Sequence, residues 1–115
     1  MKAKQDHKQH DKQVYVSKSA IHGRGIFAAK TFRSEDLIGV FEGRPTRRDG
    51  RHVLWLSDTE ALRVENDLRF INHSAAPNAE ARGTELVALR PIKPGNEITI
   101  HYGDDWDEEQ PTTHL

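Results

Sequence analysis

Short apolar runs broken by turn residues recur along the chain, and no segment sustains a helical period for three turns. Val14-Tyr15-Val16-Ser17 is β-branched and aromatic and predicts a strand. Gly23-Arg24-Gly25 punctuates the chain ahead of Ile26-Phe27-Ala28-Ala29, and Leu37-Ile38-Gly39-Val40-Phe41 predicts a short buried strand. Pro45 and Asp49-Gly50 mark residues 44–51 as loop and turn. Val53-Leu54-Trp55-Leu56 and Ala61-Leu62-Arg63-Val64 predict a hairpin joined through Ser57-Asp58-Thr59-Glu60. Glu85-Leu86-Val87-Ala88-Leu89 and Glu97-Ile98-Thr99-Ile100-His101 predict two further strands, with Pro91-Ile92-Lys93-Pro94-Gly95 reversing the chain between them. Residues 31–36 have room for one helical turn at most. The class is mainly β, built of small curved sheets.

Composition narrows this further. A chain of 115 residues with 35% apolar content supports one modest core and excludes a large multidomain enzyme. No apolar run approaches the ~20 residues of a membrane helix, so a soluble intracellular protein is expected. Cysteine is absent, which removes disulfides, thiol nucleophiles and Cys-based zinc sites together. The net charge of −1 argues against a general nucleic-acid binder, but its distribution is uneven. Residues 1–13 carry four Lys and two Asp and predict a solvated arm. Beyond Tyr102, Asp104, Asp105, Asp107, Glu108 and Glu109 face no Lys or Arg, and Trp106 sits among them. Such a run is either a solubilising terminus or a field that draws in a Lys/Arg-rich peptide. Arg44, Arg47, Arg48 and Arg51 read as an exposed loop rather than a phosphate site.

Three segments carry candidate chemistry. Gly23-Arg24-Gly25-Ile26-Phe27-Ala28 formally matches a dinucleotide-binding fingerprint, yet residues 29–41 have neither the length nor the pattern of the helix that fingerprint must open. What survives is a backbone without Cβ atoms, which a ligand can approach closely. In Arg69-Phe70-Ile71-Asn72-His73-Ser74-Ala75-Ala76-Pro77-Asn78, adjacent Asn72 and His73 are able hydrogen-bonders ahead of a turn. Gly95 to Trp106 is a strand ending in Tyr102-Gly103, where a tyrosine can aim its hydroxyl into a pocket. His22, His52, His73 and His101 show no recognised ligand spacing, and no metal site is expected.

In this order and spacing, the trio resembles a SET-domain protein lysine methyltransferase of the compact, single-domain type found in bacteria and large viruses. The resemblance spans about residues 14–106, leaving residues 1–13 as a charged arm and 107–115 as an acidic tail. It implies small curved β-sheets with a knot-like crossing, where the Asn-His segment passes the C-terminal strand. It implies S-adenosylmethionine as cofactor, its methionine part held around Gly23, Arg24 and Gly25. Asn72 would bind its amino-acid end, and His73, largely through backbone, its adenine edge. Tyr102 matches the catalytic tyrosine, also placed against the cofactor, and the target lysine would enter by a narrow channel from the opposite face. Phe41 falls where many relatives line that channel with tyrosine, His52 near a usual Tyr-x-Phe position, and His101 where Asp is more common. Without a Cys-rich flank, Trp106 and the acidic tail, or a second copy of the chain, are expected to cover the channel.

The resulting expectation is a protein-lysine N-methyltransferase acting on a basic, histone-like segment, with Phe41 and Trp106 toward substrate. No direct nucleic-acid or membrane partner is expected, and a homodimer is compatible with the open channel. The protein would be cytoplasmic in a bacterium, and nuclear or chromatin-associated in a eukaryotic cell. The rival expectation is a SET-fold binding module that recruits partners and transfers nothing.

Overall fold

The computed structural model describes residues 13–103. The charged arm up to residue 12, the acidic tail and Trp106 lie outside the described residues. Ten strands and one 3₁₀ turn are present among those described. They are β1 (Val14–Lys18), β2 (Arg24–Ala28), β3 (Leu37–Val40), β4 (Gly43–Thr46), β5 (Val53–Trp55), β6 (Ala61–Val64), the 3₁₀ turn Asp67–Phe70, β7 (Asn72–His73), β8 (Ala79–Arg82), β9 (Glu85–Ala88) and β10 (Glu97–Ile100). The mainly β expectation holds, in three small sheets ordered β1-β2-β10-β7, β3-β9-β8 and β4-β6-β5.

The first sheet positions the site. β1 and β2 are antiparallel with Tyr15 opposite Phe27, their rings stacked at 5.7 Å. β10 runs antiparallel to β2, pairing Glu97 with Phe27 and Ile98 with Ile26. On its other edge β10 takes β7 in parallel, Thr99 beside Asn72 and Ile100 beside His73. A parallel pair cannot be closed by a tight turn. Here the crossover between β7 and β10 contains the β8–β9 hairpin, turned at Gly83 with φ +62°. Alternate residues of these strands fill one core, in which Ile26, Ile71, Leu86 and Ile98 are fully buried.

Two expectations need correction. Residues 44–51 are not wholly loop: β4 pairs with β6 from Gly43–Val64 to Thr46–Ala61. Pro45 disguised it, but β4 is an edge strand, where a missing N–H costs no ladder bond. Residues 31–36 hold no helical turn. Burial of Phe32 wins there, because its backbone exchanges both hydrogen bonds with Ile92 at 2.9 Å. Asn72 and His73, ahead of the turn at Pro77, form a short strand of their own.

Candidate functional site

Two groups of residues meet at the end of β10. The first begins at the turn before β2, where the Ser19 N–H donates to the Gly23 carbonyl at 2.8 Å. The Ser19 hydroxyl oxygen accepts from the Ile21 and His22 amides at 2.9 and 3.3 Å, locking the turn. Gly23 takes φ +45°, a left-handed conformation that costs an L side chain about 1–2 kcal/mol.

Asn72, only 5% exposed on β7, reaches across to this turn. Its Nδ2 lies 3.1 Å from the His22 carbonyl, 3.0 Å from the Arg24 carbonyl, 3.2 Å from the Ser19 hydroxyl and 2.9 Å from the Glu97 carboxylate. Four acceptors around one amino group fix which end of the amide is nitrogen. The amide oxygen has no hydrogen-bond partner among the described residues. Glu97 completes the cluster by accepting from the Ser19 hydroxyl at 2.8 and 2.9 Å on its two oxygens. A Cβ on Gly25 would collide with the Glu97 carboxylate and lie 3.2 Å from Asn72 Nδ2. That space is why residue 25 is glycine.

The second group follows from the parallel β7·β10 pair, which brings His73 beside the residues that leave β10. The Tyr102 amide donates to His73 Nδ1 at 2.9 Å, and the Tyr102 hydroxyl donates to the Ile71 carbonyl at 2.7 Å. The His73 ring meets Tyr102 edge-on at 5.2 Å and His101 at 4.6 Å, while the Gly103 amide donates to His101 Nδ1 at 3.0 Å. In each case the ring Nδ1 accepts from a backbone amide, which fixes the orientation of the imidazole. Burial pushes the Tyr102 phenol well above its ordinary range, and the Glu97 charge adds to that. It therefore stays protonated at neutral pH.

Beside Tyr102 opens a cleft of about 910 Å³, walled by Trp55, Leu56 and Asp58 of the β5–β6 hairpin and by Glu80 and Ala81 of β8. Trp55 and Leu56 are 38% and 40% exposed, and the Trp55 indole N–H is held by Asp49 at 3.2 Å. Glu80 is engaged by Arg82, which also grips Glu35 and holds that carboxyl below its usual range.

The structure thus gathers Gly23, Arg24, Gly25 and Asn72 around one cluster, with His73 linking it to Tyr102. Arg24 contributes its carbonyl, while its guanidinium lies 5.7 Å from the Phe70 ring centre, on which Arg69 stacks at 4.3 Å. Phe41 is placed differently. It is 2% exposed within the core, its amide bonded to the Thr84 carbonyl, and it does not border the cleft. His52, at φ +62°, ties the hairpin to the 3₁₀ turn through Nδ1 and the Arg69 carbonyl at 2.9 Å. Burial lowers its pKa from the ordinary histidine value. Sequence reasoning missed Ser19 and Glu97. Glu97 did leave a signal, an acid at the head of the otherwise buried strand Ile98-Thr99-Ile100; Ser19 left none beyond turn composition.

Comparison with known proteins gives a consistent family signal. The SET domain pattern matches residues 23–103. The histone-lysine N-methyltransferase MEDEA of Arabidopsis thaliana is 29% identical over 118 residues, covering 82% of this chain and 17% of that protein. An H3 lysine-4 specific histone-lysine N-methyltransferase of Schizosaccharomyces pombe is 29% identical, over 79% of this chain and 13% of its own length. The chain therefore spans less than a fifth of these relatives. A solved Plasmodium falciparum structure, described as a candidate histone methyltransferase, superposes with a TM-score of 0.67 at 21% identity, covering 84% of this chain and 97% of that one. At that identity it speaks for the fold.

Proposed function

The chain belongs to the SET-domain family, and from that premise we propose that it is a protein-lysine N-methyltransferase using S-adenosylmethionine. The observation that carries the proposal is the Asn72 amide, buried, its nitrogen saturated and its oxygen without a hydrogen-bond partner among the described residues, one strand pair away from the Tyr102 phenol. The residues fit the cofactor. A cationic ammonium group needs acceptors, and the Asn72 oxygen and the carbonyls of the turn into β2 are such groups. Gly23, Arg24 and Gly25 would hold the amino-acid end through backbone, with Asn72 beside it and His73 toward the adenine.

When bound, S-adenosylmethionine supplies an electrophilic methyl group on a sulfonium. The chain's own task is to present a neutral lysine amine. Free lysine has a pKa of ~10.4, so deprotonating it at pH 7 costs about 4.6 kcal/mol. Excluding water around the amine and placing it near a cation both lower that cost. Tyr102 is not the base. Its hydroxyl donates to the Ile71 carbonyl and its pKa is raised, so toward the amine it acts as an acceptor that orients the nitrogen. Alignment of this kind supplies several kcal/mol without any proton transfer by a side chain.

The substrate is a lysine within a basic, histone-like protein segment, entering by the cleft at Tyr102. Asp49 and Asp58 give that cleft an acidic rim, and Trp55 and Leu56 offer apolar surface. In a eukaryotic cell this places the protein with chromatin, and in a bacterium in the cytoplasm. The test is transfer of labelled methyl from S-adenosylmethionine to mixed histones or lysate protein, wild type against Tyr102→Phe. Label on lysine that falls sharply in the variant supports the proposal; cofactor binding with no transfer to any protein overturns it in favour of a recruitment module.

A further inference from the structure

Glu97 poses a question that the cofactor contacts leave unanswered. It is a partly buried carboxylate, yet no Lys, Arg or His lies within ion-pair distance of it among the described residues. Among the described residues the carboxylate is held by neutral donors alone, the Ser19 hydroxyl and the Asn72 amide. A charge removed from water without a countercharge is costly, and the cost is tolerated where something else compensates. Its surroundings say what. The carboxylate fills the volume that a side chain at residue 25 would need, and it touches both Asn72 and, through Ser19, the turn whose carbonyls face the Asn72 amide. The two side chains that the Glu97 carboxylate contacts, Asn72 and Ser19, border the place assigned above to the amino-acid end of the cofactor.

We infer that Glu97 and Ser19 are positioning residues for that end, Glu97 also supplying the negative charge that matches its ammonium group; the inference rests on the cofactor reading above. Asn72 has two amide protons and four acceptors within 3.2 Å. The charged acceptor at 2.9 Å takes one of them most strongly, since hydrogen bonds to ionised groups are about twice as strong as neutral ones. This leaves the amide oxygen outside the cluster's hydrogen bonds, where it would accept from the ligand's ammonium group. Ser19 accepts two backbone amides and donates to Glu97, so turn and carboxylate move as one unit.

The test uses two ligands that share the adenosine thioether and differ in the amino-acid group. S-adenosylhomocysteine carries the ammonium, and 5′-methylthioadenosine does not. Calorimetric titration of the full chain compares wild type, Glu97→Gln, Ser19→Ala and Ser19→Thr. Glu97→Gln, nearly isosteric and uncharged, is expected to weaken S-adenosylhomocysteine by about tenfold or more and leave 5′-methylthioadenosine within about twofold. Ser19→Ala is expected to weaken S-adenosylhomocysteine selectively as well, and Ser19→Thr, which keeps the hydroxyl, to restore it. Equal losses for both ligands would reduce Glu97 to a structural role and overturn the inference, as would no loss for either. If Glu97→Gln does not fold, the Ser19 pair decides by the same criterion. A folded wild type that binds neither ligand refutes the cofactor reading itself, and the inference falls with it.

Discussion

Replacing Gly25 by Ala tests whether the space beside β2 is filled as described. Gly25 has no left-handed backbone, so alanine is conformationally allowed there. Considered alone, the change would stabilise by about 0.4–1 kcal/mol through the unfolded chain. The added Cβ, however, falls on the Glu97 carboxylate, with the Glu97 Cδ only 2.9 Å away. The end of a glutamate is normally free to swing aside. This one is tied to Ser19 and Asn72, and displacing it forfeits at least one hydrogen bond to a charged group, worth about 1.5–3 kcal/mol. The net expectation is a destabilisation of about 1–2 kcal/mol. In a Glu97→Ala background the methyl meets an opening, and Gly25→Ala becomes neutral or mildly stabilising. Urea unfolding of the four proteins yields the coupling energy, expected at about 2 kcal/mol. A cost of Gly25→Ala that is the same in both backgrounds, within about 0.5 kcal/mol, would refute the account of this site.

Tyr102→Phe removes the 2.7 Å bond to the buried Ile71 carbonyl and is expected to cost about 1–3 kcal/mol by thermal or chemical unfolding, and about a hundredfold in methyl transfer with little change in cofactor affinity. Because the amine must lose its proton and Tyr102 stays neutral, the rate should climb as pH rises from 7 to about 9; a flat or falling profile contradicts the mechanism. The folded-state pKa of His52 is lowered, chiefly by burial, so its contribution to stability is complete above about pH 6.5 and is lost as pH falls through the lower folded value. Stability measured from pH 7.5 down to 5 should decline, and less steeply in His52→Asn, which tolerates the left-handed backbone; equal slopes would exclude His52 as a source. Ile98→Ala, at a fully buried position facing Ile26 across the β2–β10 pair, should cost about 2–5 kcal/mol, measured by denaturant midpoint.

Period-two patterning and turn residues determined much of this protein. The β5–β6 hairpin, the strands around Ile26, Leu86 and Ile98 and the reversal before Gly95 follow from residues near one another in the chain, where side-chain alternation and glycine or proline geometry act locally. The family motifs at Gly23–Gly25, Asn72-His73 and Tyr102 were equally legible, because their residue types and order survive in a single sequence. Tertiary structure alone decided the rest. Pro45 could be part of a strand only once β4 was known to lie at an edge. Phe41 could be assigned to the core or to a channel wall only by what surrounds it. Above all, Glu97 and Ser19 lie 78 positions apart, and Glu97 and Asn72 lie 25 apart. A hydrogen bond requires atoms within about 3 Å. Nothing in linear spacing encodes that closeness; the antiparallel β2·β10 pair and the parallel β7·β10 pair create it, by laying three distant segments side by side.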